Sequence, residues 1–124
     1  MIHLDTNYLI GLLVQGSPVA AKVDQWLAAN EQLAASAIAW SEFLNGPITA
    51  AESTRVDAVL ESRIAPFGPV EAALAAKLFN QTGRRRGTRF DCLIAATAII
   101  AGAELATVNQ ADFKAFVAHG LKLK

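Results

Sequence analysis

The sequence predicts an α/β fold, a single domain over residues 1–124 built on a mostly parallel sheet, and three observations carry that reading. Short apolar runs that read as strands alternate with longer stretches of helical periodicity. Those stretches have the length of the crossovers that parallel neighbours require. No internal repeat, low-complexity tract or Gly/Ser linker divides the chain, and 124 residues suit one core.

The elements follow in order. Met1 to Leu4 reads as a strand and Thr6 to Val14 as a helix. Gly16-Ser17-Pro18 then breaks the chain, with Ser17 placed as N-cap and Pro18 at the first helical position. In the helix that follows, Val19, Val23, Trp26 and Leu27 recur at helical spacing and form one face to be buried. Gln32 to Ala35 is a second strand, and Ser36 caps a helix that carries Glu42 and runs to Asn45, where Gly46-Pro47 ends it. Thr49 and Glu52 have the spacing of a capping box for a further helix with Val56, Val59 and Leu60 on one face. Ile64 to Phe67 is a third strand. Pro69 opens an Ala-rich helix that Gly83 ends, and an arginine-rich loop leads into an apolar helix beginning near Phe90. Glu104 to Val108 and Leu121 to Leu123 supply the last two strands.

With 53% apolar and 18% charged residues, the chain has the material for a core and lacks the composition of a disordered segment. Its longest apolar run, Cys92 to Ala103, falls short of the about 20 residues that cross a bilayer, and Thr97 and Gly102 interrupt it. A buried helix is expected, with no membrane association. No basic segment precedes the first apolar stretch and Asp5 cuts it short, so a cytoplasmic address is expected rather than a secretory leader. Cys92 is the only cysteine, which excludes an internal disulfide and reads as a small core residue.

Four acids stand out by context: Asp5, Glu42, Asp91 and Asp112. Singly, each has a structural explanation as a cap, a surface residue or a turn. Yet Asp5 directly follows an apolar strand, Glu42 adjoins Trp40, Phe43 and Leu44, and Asp91 begins an apolar helix. Ligand sites in parallel sheets lie beyond the carboxyl ends of strands, where Asp5 falls, and a segment from Thr107 to Asp112 would follow another strand. Two carboxylates about 4 Å apart repel by roughly 1 kcal/mol in water and by several inside a protein, so a gathering of them calls for a counter-charge. A hard divalent cation meets that need through oxygen ligands. His3 and His119 have no ligand spacing and read as structural.

Eleven Lys and Arg balance eleven Asp and Glu. The average conceals an asymmetry: setting the four acids aside leaves seven against eleven bases, an excess of four positive charges. Arg84, Arg85, Arg86 and Arg89 fall within six residues just ahead of Asp91. They read either as a solvated loop or as contacts to a polyanion.

At this point the sequence resembles the PIN-domain family, and in length and motif order the VapC-type toxins of toxin–antitoxin pairs. The likeness rests on Met1-Ile2-His3-Leu4-Asp5-Thr6-Asn7, Ser41-Glu42-Phe43-Leu44-Asn45-Gly46, Asp91-Cys92-Leu93-Ile94-Ala95-Ala96-Thr97-Ala98 and Thr107-Val108-Asn109-Gln110-Ala111-Asp112-Phe113, which occur in that order along the chain. The resemblance implies a three-layer α/β/α fold with a central, mostly parallel five-stranded sheet, and an endoribonuclease dependent on Mg2+, with Mn2+ as a substitute. It assigns Asp5, Glu42 and Asp91 to the family's core acids, Asp112 to a more variable fourth position, and Thr6, Thr107 and Asn109 to polar positions lining the site. It further implies RNA as substrate, products with 5′-phosphate and 3′-hydroxyl ends, a homodimer, and an antitoxin protein as partner. The arginine loop would bind RNA phosphates or an antitoxin tail, and it is more basic than the corresponding stretch usually is.

Other readings are weaker. A haloacid dehalogenase-like enzyme needs a second acid two residues after the first, where this chain has Asn7. A receiver-like module has no use for Glu42. A PIN-like module that binds RNA or protein without cutting remains the alternative to the enzyme.

Overall fold

Ile2, His3 and Leu4 are all buried, and a strand covered on both faces belongs in the middle of a sheet. In the computed structural model, which describes residues 1–124, β1 (Ile2–Leu4) does take that place. It is flanked by β2 (Leu33–Ser36) on one side and β4 (Glu104–Ala106) on the other; β3 (Ile64–Ala65) lies beyond β2 and β5 (Lys122–Leu123) beyond β4. All four pairings are parallel, with Ile2 opposite both Leu33 and Glu104. The α/β expectation holds, with five strands in the order β3-β2-β1-β4-β5.

Seven helices make the crossovers. They are α1 (Thr6–Gly11), α2 (Pro18–Ala28), α3 (Ala37–Leu44), α4 (Ala50–Leu60), α5 (Pro69–Gln81), α6 (Arg89–Ala101) and α7 (Gln110–Phe113). Their starts are as the sequence foretells. Ser17 Oγ accepts from Ala20 N at 3.1 Å, Ser36 Oγ from Ala39 N at 3.0 Å, and Thr49 and Glu52 exchange bonds in a complete capping box. Crossovers between parallel strands are right-handed, and the chain reverses its direction across the sheet after β3. The α5–α6 pair therefore covers the face opposite to α4, and both α4 and α6 pack on β2. This is the three-layer α/β/α arrangement. No helix is long and apolar enough to cross a membrane.

Several expected boundaries shift. The first helix stops at Gly11 rather than Val14, and the strands at 64, 104 and 122 are shorter than their apolar runs, because only the paired residues are held extended. Leu27 is exposed, so the buried face of α2 narrows to Val23, with Val19 and Trp26 half-buried. The segment after Thr107, read as a turn around Asp112, is α7 followed by a 3-10 helix over Lys114–His119. Phe113 and Phe116, 6.0 Å apart edge to face, anchor it in the core.

His3 is 1% exposed, and neither ring nitrogen has a hydrogen-bond partner. Burial, assisted by the N-terminal ammonium, pushes its pKa down to about 4. The unfolded chain thus binds this proton more readily than the folded one between pH 6.5 and about 4. Stability is full above pH 6.5 and falls as pH drops through that window, by on the order of 3 kcal/mol at one pKa unit per 1.36 kcal/mol. In urea titrations at several pH values, His3→Leu is expected to match or exceed the wild type at pH 7 and to gain on it steadily down to pH 4. A constant difference across that range would refute the assignment.

Candidate functional site

Because every strand runs the same way, the loops after β1, β2 and β4 all emerge at one edge of the sheet. The chain leaves β1 toward β2 and returns on the other side through β4, which makes the β1–β4 boundary a switch point where the loops part. Asp5 follows β1 and Thr107 follows β4, so both stand at that crevice.

Asp5 is 5% exposed and has no cationic partner. Three donors satisfy its carboxylate instead: Thr6 N–H on Oδ1 at 2.8 Å, and the Thr107 hydroxyl and the Asn7 amide on Oδ2 at 2.7 and 3.3 Å. The backbone N–H of Asp5 donates to Ala106 O at 2.9 Å, which ties the two strand ends together. Thr6 serves a second acid as well, since its hydroxyl donates to Glu42 Oε1 at 3.0 Å. Glu42 projects from α3, which Ser36 starts at the end of β2. The capping role that a lone Asp5 would have is also present, as it is the N-cap of α1.

Asp91 lies in the first turn of α6 and is half-buried. Its carboxyl is pushed up to about 6, first by burial and then by the charges of Asp5, Asp112 and Glu42. A helix N-terminus favours an anion, but here burial and three neighbouring acids outweigh it. Asp112 is exposed on α7 and lines, with Asp91, Arg85, Thr82 and Thr88, a polar pocket of about 270 Å³. All four acids therefore act on one region. As the side chains stand, no three His, Cys, Asp or Glu groups are gathered tightly enough to hold a metal ion. The difference is one of range, because carboxylates repel across distances longer than a coordination bond.

The donor set itself suits a hard cation: four carboxylates with the hydroxyls of Thr6 and Thr107 beside them, and no thiolate or imidazole. Cys92 is buried, with its thiol pushed up by desolvation, and lines the groove between α5 and α6 instead.

The secondary candidates divide. Thr6 and Thr107 contact the acids, whereas Asn109 is exposed and contributes its backbone N–H, which donates to Thr107 Oγ1 at 3.1 Å. Of the arginines, only Arg85 lines the acidic pocket. Arg84 and Arg89 turn toward Phe79, and Arg86 is exposed at the start of a 3-10 turn, Arg86–Thr88. None of the four pairs with an acid.

Asn7 was not among the expected site residues. Its amide nitrogen donates to Asp5 while its Oδ1 accepts from Val108 N at 3.3 Å, so one side chain clamps the acid and the β4–α7 loop together. The one sequence signal was its place two residues after Asp5, in the first turn of α1.

A five-stranded parallel α/β domain with a buried Asp5 at its switch point defines a class. Comparison with known families places the chain within it: the PIN domain model matches residues 2–117, and the chain belongs to the PIN domain family. It is similar to the VapBC2 complex of Rickettsia felis bound to a promoter DNA fragment, at 27% identity and a TM-score of 0.68, over 100% of this chain and 98% of that one. It is also similar to a toxin–antitoxin complex from Klebsiella pneumoniae, at 26% identity and a TM-score of 0.73, over 91% and 90% of the two chains. A third likeness is to VapBC-1 of nontypeable Haemophilus influenzae, at 26% identity and 0.68, over 100% and 97%. No curated protein matches the sequence significantly.

The Asp91 shift can be measured directly. A folded-state pKa near 6 against 3.8 means that the folded chain binds this proton more readily between those values, so its contribution to stability falls as pH rises through them. This slope is opposite to that of His3 and overlaps it. Carboxyl-carbon NMR titration of metal-free protein is expected to place Asp91 near 6 and to move it downward in Asp5→Asn. The same titration in both proteins would mean that Asp5 and Asp91 do not share a field.

Proposed function

We propose that this chain is a metal-dependent endoribonuclease, the toxin of a type II toxin–antitoxin pair, acting in the cytoplasm. The observation that supports the reading is that the charges of Asp5, Asp112 and Glu42, each from a different element, all act on Asp91. Three like charges around a half-buried Asp91 disfavour its ionised form, an arrangement that costs free energy unless a cation offsets it.

Asp5, Glu42, Asp91 and Asp112 are the residues that would hold Mg2+, or Mn2+ in its place. The cation would supply Lewis-acid polarisation of the scissile phosphate and a water of lowered pKa. The chain's own contributions are positional. Thr107, Asn7 and the Thr6 N–H fix the orientation of the Asp5 carboxylate, and the Thr6 hydroxyl does the same for Glu42. Arg85, in the pocket with Asp91 and Asp112, is placed to pair with a backbone phosphate of RNA. The partners of this reading are an RNA substrate, a second copy in a homodimer and a cognate antitoxin; relatives of similar fold are solved within toxin–antitoxin complexes.

Purified protein, free of any co-expressed partner, is incubated with tRNA and structured rRNA fragments in magnesium, manganese and EDTA, beside Asp5→Asn. Cleavage is expected with either metal, with little or none in EDTA or in the variant. Cleavage that persists in EDTA would overturn the metal dependence; no cleavage together with no magnesium uptake by calorimetry would overturn the enzyme in favour of a PIN-like binding module.

A second measurement isolates the positioning groups. Thr107→Val and Asn7→Ala leave every proposed ligand in place, and each is expected to weaken magnesium binding by about 10- to 100-fold in calorimetric titration. Affinities equal to wild type would remove both residues from the site.

A further inference from the structure

The loop after α5 gathers charge that the packing does not explain. Gly83 and Arg84 both adopt left-handed backbone, at φ 94° and 53°, and Arg84 N donates to Phe79 O, so the chain doubles back on the end of α5. The Arg84 guanidinium then lies 5.3 Å from the centre of the Phe79 ring and donates to Asn80 Oδ1. Arg89, the first residue of α6, brings a second guanidinium to the same ring at 5.2 Å. One cation over the ring would hold the loop; a second adds repulsion, and no Asp or Glu pairs with either. Beside them a groove of about 470 Å³ opens between α5 and α6, with Phe67, Ala76 and Leu93 in its wall. Its size is that of a small-ligand pocket.

We infer that Phe79, Arg84 and Arg89 form a subsite for an unpaired nucleotide of the RNA, with the base lying against the flat aromatic and guanidinium surfaces and its phosphate paired with an arginine. The inference rests on the ribonuclease reading for the identity of its ligand. Unstacked bases bind to aromatic rings and to guanidinium planes, and the faces that such surfaces recognise are hidden in a duplex. An acidic peptide would satisfy the charge but leave the planar stack without a counterpart. The groove also adjoins the acidic pocket. Arg84 lines one and Arg85 the other, as do Cys92 and Asp91, and consecutive residues stand only about 3.8 Å apart. A strand with one phosphate at the acids has a neighbouring nucleotide beside this shelf.

The test is binding of a short labelled oligoribonucleotide by fluorescence anisotropy in EDTA, which removes metal-dependent turnover, compared with the same sequence in a duplex and with an oligo-glutamate peptide. Wild type is expected to prefer the single strand. Phe79→Leu should weaken that binding about tenfold while Phe79→Trp retains it, and Arg84→Gln with Arg89→Gln should reduce the salt slope of log K by about 0.7, for the one lost phosphate contact. Melting curves check that each variant folds. Single-strand affinity unchanged in a folded Phe79→Leu, equal losses for single strand and duplex, or tighter binding of the peptide than of RNA would each overturn the subsite. The nuclease reading fails separately. If folded Phe79→Leu binds and cuts as wild type does, the subsite is wrong and the nuclease stands; if RNA binding depends on Phe79 but magnesium yields no cleavage, the reverse holds.

Discussion

The hydrogen bond from Thr107 to Asp5 joins residues 102 positions apart and closes the crevice at which the sheet changes direction. A carboxylate this deeply buried, with no cation beside it, would be expensive alone. The arrangement persists because the strand ends themselves deliver donors: β4 brings Thr107, and the first turn of α1 brings the Thr6 N–H and the Asn7 amide. Everything else at this end of the molecule is arranged around that anchored charge. Glu42 is tied to it through Thr6, and Asp91 is perturbed by it from the start of α6.

Much of the architecture was legible in the chain because it follows from local rules. Ser17-Pro18, Ser36 and the Thr49–Glu52 pair mark helix starts by hydrogen-bond chemistry that needs no tertiary context. The alternation of short apolar runs with helical segments implies parallel pairing, and β1 to β5 fall in the five places foreseen. What escaped prediction depends on neighbours far along the sequence. Leu27 has the right period for the buried face of α2 and yet faces solvent, since periodicity defines a stripe but not how far the core extends under it. The 3-10 helix over Lys114–His119 has no cap signature and is held by Phe113 and Phe116.

The site divides along the same line. The acids were conspicuous because charge beside apolar residues is unusual in a sequence. Asn7 was not, because a polar residue in a first helical turn is ordinary; only its simultaneous contacts with Asp5 and Val108 N single it out. The arginine cluster shows the converse. Four cations within six residues suggest one shared task, whereas the backbone reversal at Gly83 and Arg84 sends two of them to Phe79 and leaves Arg85 at the acidic pocket.

The distance in sequence between Asp5 and Thr107 also orders events in time. A nascent chain presents Asp5 and Glu42 well before β4, Thr107 and Asp112, and β1 lacks one of its two neighbours until β4 arrives. Pairing of the central strand on its second side and the bond from Thr107 to Asp5 therefore form together. A chain that stops short of β4 leaves the Asp5 carboxylate without its Thr107 donor and β1 open on one side.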